Sequence, residues 1–365
     1  MQFLTSSKRN DGIHARQIAF FGAFILPLSK MVEAPSLLAK SAMGDLLLPA
    51  ILHSLLQAGI LALVLLALSR LDKPLVDIID SLLGKWKWAI YLPYALFFLF
   101  FAVLPLLDLE KFVYAVFYDT PPTLFSFLFF FPVCAFICAK GIKAVGRFSD
   151  IALFLFLLPF IGLLVFSLEE AEFSGLLPLF EQPFQNSLSA VRTTLPHFLD
   201  TAVLLPLLAR IKPQKTDGKK ILGGYALGCA FTLLFLAVFY AVYSTIAFKE
   251  HYAFSKIAQY FPALATVGRI DLLLVYILCI PLFFYTALPL FYAVDCIATT
   301  FSITRKSLLS GAVSLLAFVF TLFFNKYYNA VYALYTQKLF WLFLIFGCAL
   351  PLALFFIKRK SSYAN

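Results

Sequence analysis

The residues of this chain that could do chemistry sit where water is scarce. Lys30 and Glu33 fall inside the apolar stretch 20–40, and Arg192, Thr194, His197 and Asp200 inside a second one, 187–210. A charge in such a stretch is costly and is usually kept for a site or a partner. Lys30 can pair with Glu33, one helical turn away, or with Asp200 across the molecule, since both lie near the middle of their stretches. Either pair could be structural, or could yield to a ligand amine or a proton. His197 could relay protons or simply donate a hydrogen bond to a neighbouring carbonyl. Each stretch also carries helix breakers: Gly22, Pro27 and Pro35 in the first, Pro196 and Pro206 in the second. A proline can merely kink a membrane helix. It can also leave an unwound turn whose free N–H and C=O groups and half-helix dipoles hold a zwitterion. On the second reading the site comprises Gly22, Ala23, Phe24, Pro27 and Lys30 from the first stretch. Thr194, Pro196, His197 and Asp200 come from the second, with Arg192 at its entrance. Phe21, Phe24, Leu195 and Phe198 make its predicted lining bulky and apolar, which favours a small or hydrophobic ligand.

The elements that must position these residues are membrane helices. Of 365 residues, 62% are hydrophobic and 44 are Phe, while 13% are charged, about half the usual share for soluble proteins. Unbroken runs such as LALVLLAL exclude a β-barrel, whose strands alternate polar and apolar residues. The sequence therefore predicts an all-α integral membrane protein. With about 20 apolar residues per span, ten segments emerge, near 17–38, 47–69, 89–107, 122–139, 148–167, 188–209, 221–246, 270–295, 308–324 and 331–357. The third is expected to run on as a helix towards residue 118. Ten spans put both termini on one side. That side then collects 20 of the 29 Lys and Arg against 7 opposite, with Lys30 and Arg192 inside spans. This asymmetry makes the terminal side cytoplasmic. The interrupted segments are the first and the sixth, each the first of five, so two halves (about 15–167 and 188–357) would lie in the membrane in opposite orientation. Interrupted spans at corresponding places in two halves point to an inverted-repeat transporter fold with its site at the breaks.

Several other functions lose support. The net charge of +10 reflects the loops on one side and calls for no nucleic acid. The six Cys all lie in apolar segments, without CxxC or Cys/His spacing, and are expected to be packing residues, with no metal. There is no P-loop, HExxH or GxSxG, and no loop is long enough for a catalytic domain, so neither an enzyme nor a cofactor is expected. The N-terminal residues show no cleavable signal. Outer loop 168–186 is acidic, with Glu169, Glu170, Glu172 and Glu181. Stretch 254–264 and loop 70–88, with Trp86 and Trp88, read as segments lying in the membrane surface. Asp295 is expected near the inner surface, and Asp108 and Glu110 in solvent at the outer end of span three.

A set of short marks runs through the chain in order: Ile13 to Gln17, Pro35 to Ala39, Gly84-Lys85-Trp86, Thr120-Pro121, Gly141 with Arg147, Leu176-Leu177-Pro178, and Gly268-Arg269-Ile270-Asp271. In these, over about residues 13–355, the sequence resembles the endospore germination permease family, the B-subunit type of germinant receptor, within the amino acid–polyamine–organocation transporter superfamily. The resemblance implies a five-plus-five inverted repeat unwound in spans one and six, and a ligand pocket between them. It also implies two partner subunits in the inner membrane of a bacterial spore. Superfamily members often break span one with Gly-x-Gly. Here the region reads Gly22-Ala23-Phe24, with one glycine only, a departure that weakens the expectation of tight backbone recognition of a ligand carboxylate. The expected function is a receptor subunit that binds a small germinant, an amino acid by preference, and signals to its partners. The alternatives are an amino acid transporter coupled to H⁺ or Na⁺ with Asp200 titrating, and a subunit with no ligand of its own.

Overall fold

The computed structural model describes residues 12–117, 130–176, 180–259 and 271–353. Thr120-Pro121, Leu177-Pro178 and Gly268-Arg269-Ile270, the start of the fourth predicted span (122–129), residues 260–264, and the terminal basic residues Lys8, Arg9 and 358–360 lie outside them. Among the described residues every regular element is helical. In chain order the elements are α1 (Ala15–Phe24), α2 (Leu26–Ser29), α3 (Ala34–Ala42), α4 (Leu47–Ser69), α5 (Leu75–Leu83), α6 (Trp88–Phe117), α7 (Phe130–Lys140), α8 (Ile142–Ser167), α9 (Phe184–Thr194), α10 (Asp200–Leu208), α11 (Lys215–Tyr243), α12 (Ala253–Ala258), α13 (Asp271–Phe301) and α14 (Lys306–Asn325). A last segment, Tyr328 to Ala353, is interrupted by two wider turns at Leu334–Lys338 and Ile345–Ala349.

Six of these helices are long and apolar enough to cross a membrane, or seven if the pair Ala15–Ser29 and Ala34–Asp45, bent by 63°, counts as one span. Leu55, Phe154, Leu158, Leu308 and Phe323 are exposed, as lipid-facing residues would be. The chain is thus a multi-pass membrane protein. The remaining three of the ten predicted segments are the fourth, of which α7 is the described part, the pair α9 and α10, and the segment from Tyr328.

The two broken segments occupy the middle. α1 packs on α11 and α8, α3 packs on α9, and α10 packs on the turn Ile345–Ala349; α6 lies along α13. The α1–α11 contact is made by small residues. A Cβ at Gly224 or Gly228 would run into the carbonyl oxygens of Ala19 and Gly22, the close backbone approach that glycines four apart permit.

One end of the molecule is tied by charges. Asp295, on α13, accepts from Arg210 just beyond α10 and from Lys306 Nζ at 3.1 Å. Arg16 and Gln17 both bond Asp150, at 3.1 and 2.7 Å. α5 docks there through Val76 N–H to Ala209 O at 3.1 Å, with Trp86 and Trp88 left exposed beside it. Three expectations need correction. Asp108 and Glu110 are buried, not solvated, because α6 runs on to Phe117 and carries them inside, where Asp108 accepts from Tyr328 and Glu110 from Asn325. Of stretch 254–264, Phe254, Ser255, Ile257 and Ala258 in α12 are buried, with Phe254 wholly covered, while Lys256 and Gln259 reach the surface, so its apolar side docks inward on the protein. The break in the first segment is also displaced.

Candidate functional site: two broken helices and the cavity between them

The main bend of the first segment falls at residues 30–33, not at Gly22 and Pro27. Pro27 produces only a slight turn at Ile25, whose N–H still reaches Phe21 O at 3.0 Å. The residue that breaks the helix is Pro35. It has no N–H for Met31 O, the carbonyl four residues back, and it sits in the first turn of α3 where none is needed. α12 uses what this leaves: Phe254 N–H donates to Met31 O at 3.1 Å and Ala253 N–H to Val32 O at 2.9 Å. Gly22 stays helical, pressed on Gly224 and Tyr225 of α11.

The second segment breaks where expected. α9 ends at Thr194, whose hydroxyl donates back to Ala190 O at 2.7 Å, a bond that bends helices. Leu195–Phe198 form one tight turn around Pro196, and α10 starts at Asp200. Asp200 is thereby a carboxylate at a helix N-terminus, where the dipole favours it.

Lys30 and Asp200 join the two breaks. Nζ lies 2.6 Å from Asp200 Oδ2, and each side chain is 3% exposed. Tyr225 of α11 donates its hydroxyl to the same oxygen at 2.7 Å. The ammonium also stands over the Phe198 and Tyr225 rings, at 5.3 and 5.9 Å. The alternative pairing of Lys30 with Glu33 does not form. Glu33 Oε2 accepts from His251 Nδ1, at 3.1 Å.

Sequence reading missed the clamp around the second break. His53 and Gln57 lie four apart on one face of α4 and are both fully buried. His53 stacks on Phe198 with centroids 4.3 Å apart and donates from Nε2 to Thr194 Oγ1 at 3.1 Å, the threonine proton being committed to Ala190. Gln57 accepts from Thr201 N–H at 3.0 Å. Their signal was two polar residues at helical spacing in an otherwise apolar span.

A cavity of about 50 Å³ opens where the breaks meet. Ser29, Val32 and Glu33 line it from the first break and Pro196 and His197 from the second. Phe101 and Asp108 of α6, Leu282 and Thr286 of α13 and Tyr335 of the last segment close it. Of the nine residues singled out from the sequence, Pro196 and His197 reach this cavity. Gly22, Ala23, Phe24 and Pro27 pack within the molecule beside it, Thr194 belongs to the clamp, and Lys30 and Asp200 hold each other. None of Phe21, Phe24, Leu195 or Phe198 lines it, because the displaced break turns the cavity towards α6 and α13. Arg192 is exposed, its guanidinium 5.6 Å over the Phe340 ring. The six cysteines are unpaired, and no cluster suited to a metal occurs among the described residues.

His251 lies in a loop outside the spans. Its hydrogen bond to Glu33 raises it above the ordinary 6.5, against partial burial; Glu33 and Glu250 add to the rise and Lys40 opposes it. A group whose folded value is raised stabilises fully below its unfolded value, and the contribution disappears as pH climbs through the folded value. The melting temperature of the protein should therefore exceed that of His251→Gln most below pH 6.5, and the gap should close in alkaline solution. A gap constant with pH would mean that the imidazole acts by packing alone.

A protein-family model described as spore germination protein matches residues 32–329, from the first break to the start of the last segment. A comparison with curated proteins gives no match.

Proposed function

The chain belongs to the spore germination permease family, and from that premise we propose that it is the membrane-embedded ligand-binding subunit of a germinant receptor. The observation that carries this reading is the cavity at the junction of two broken helices. Broken spans at the first position of each half are the usual mark of a transporter-type site. The reading takes the remaining broken segments as spans, which gives ten in a five-plus-five inverted repeat, in the spore inner membrane with both termini cytoplasmic. The ligand is a small germinant, an amino acid by preference, held between spans one and six. The subunit works beside partner subunits that receive its signal.

The mechanism follows from what holds each half-helix. α3 is joined to α2 only through the turn at 30–33, steadied by α12 and by Glu33 with His251. α9 and α10 are joined through Leu195–Phe198, steadied by His53 and Gln57. The Lys30–Asp200 pair ties the two turns together, so a ligand touching Glu33 and His197 touches both joints. A ligand that fits one packing of these joints better than another shifts the population towards it, and the outer faces of α3 and α9 carry the shift to a partner.

A second reading, a secondary transporter coupled to H⁺ or Na⁺, is favoured by the buried Lys30–Asp200 pair, since charges at that depth commonly serve ion coupling. One experiment separates them. The purified chain is melted against a panel of amino acids, nucleosides and sugars, then reconstituted for uptake. A ligand at a hundredfold excess over its Kd stabilises by about 2.7 kcal/mol. Binding without net uptake is the expected result. Uptake driven by an ion gradient would favour the transporter, and no binding by any compound would refute the ligand-binding role.

A further inference from the structure

The walls of the cavity are rich in acceptors. Glu33 and Asp108 are 6% and 8% exposed. One oxygen of each is engaged, Glu33 Oε2 with His251 and Asp108 Oδ1 with the Tyr328 hydroxyl at 2.9 Å. Among the described residues Glu33 Oε1 and Asp108 Oδ2 have no hydrogen-bond partner. Three of the four lining hydroxyls have their protons committed elsewhere: Ser29 donates to Leu26 O, Thr286 to Leu282 O and Tyr335 to Phe100 O, while the fourth, Tyr285, stands beside Ser29. Those three therefore offer the cavity acceptor oxygens only. His197 adds a buried Nε2 with no partner.

The cations nearby are spent. Lys30 is held by Asp200 and Tyr225. Lys111 lies over the Tyr328 ring at 4.6 Å and acts on Asp108 from outside ion-pair distance, without filling the cavity. Two carboxylates sharing a poorly hydrated space each make the other's charge less favourable, and a cation between them relieves both. A primary ammonium brings three N–H donors and no acceptor, the complement of the two carboxylates and the acceptor oxygens beside them. The volume of about 50 Å³ holds on the order of four water molecules. It thus suits a group of few heavy atoms, and Val32, Phe101 and Leu282 provide an apolar floor for a short alkyl chain.

We propose that this cavity recognises its ligand by an ammonium group bound between Glu33 and Asp108, so that its ligands are small primary amines and small amino acids. The inference rests on the reading of the cavity as the ligand site. It assigns recognition to this carboxylate pair, with Lys30 and Asp200 left as the tie between the breaks.

The test uses the full chain in detergent at constant ionic strength. Ethylammonium, propionate, L-alanine, glucose and sodium chloride are each titrated while the melting temperature is followed. Ethylammonium and L-alanine should raise it saturably, and propionate, glucose and sodium should not. Glu33→Gln and Asp108→Asn should each weaken the apparent affinity for ethylammonium about tenfold or more, the usual loss for a hydrogen bond to a charged group. Glu169→Gln, on the exposed acidic loop, should keep it. Equal affinity in the wild type and both carboxylate variants, or a response to propionate matching that to ethylammonium, would overturn the ammonium assignment and leave the ligand-site reading standing. A saturable response to sodium alone would make this an inorganic cation site and overturn it too. Silence from every compound would overturn both. Should either variant fail to fold, ethylammonium and propionate on the wild type still decide, since they differ only in their charged head.

Discussion

Lys30→Met should destabilise the folded chain by about 3–5 kcal/mol, the usual result of removing one member of a buried ion pair. The cost arises from what is left behind. Asp200 would stay 2% exposed, with the Tyr225 hydroxyl and the start of α10 as its remaining support. A single neutral donor and a helix dipole offset only part of the desolvation of a carboxylate. The double variant Lys30→Met/Asp200→Leu should recover most of the loss, because apolar residues of similar volume often replace a buried pair at little cost. Unfolding of the single and double variants in detergent forms a double-mutant cycle. A coupling energy near zero would mean that the two side chains contribute independently and that the two breaks are held together by packing alone.

The pair was legible because a charge in an apolar run has few places to go, and two such charges of opposite sign lay at similar depth in the two interrupted segments. The position of the first break was not, for a physical reason. Glycine serves two ends in a membrane helix, freeing the backbone and letting another helix come close. Which end Gly22 serves depends on Gly224 and Gly228, some 200 residues away and invisible to local spacing. Pro35 stood near the predicted end of its span, yet its missing N–H frees the carbonyl that α12 then uses. Asp108 and Glu110 read as solvated because they follow the apolar run of α6, whereas Tyr328 and Asn325, which cover them, come from the far end of the chain. His53 and Gln57 were visible as a spacing, but the rotation of α4 that aims them at the second break is set by packing. Element types were thus written locally. The cavity was not, since its wall draws residues from five separate stretches.

Two adjacent glycines on α11 should respond to alanine with opposite signs. At Gly224 the new Cβ would meet the carbonyl oxygen, carbonyl carbon and Cα of Ala19, all backbone atoms. A side chain in the way can rotate aside; a helix backbone can only move as a body. Gly224→Ala should therefore push α1 off α11 and cost at least the ~1–3 kcal/mol typical of overpacking. At Gly223 a Cβ has nothing within 4 Å. Gly223→Ala should gain the ~0.5–1 kcal/mol by which alanine exceeds glycine inside a helix. The consequence reaches the site, because Tyr225 follows Gly224 directly and holds Asp200 from the same face, while α1 leads through α2 to Lys30. Separating α1 from α11 pulls the two donors of Asp200 apart, so Gly224→Ala combined with Lys30→Met should destabilise less than the sum of the two. Thermal unfolding of the four chains measures both statements. If Gly224→Ala proves as harmless as Gly223→Ala, α1 is not pressed on α11, and the geometry of the buried pair is set by the α4 clamp instead.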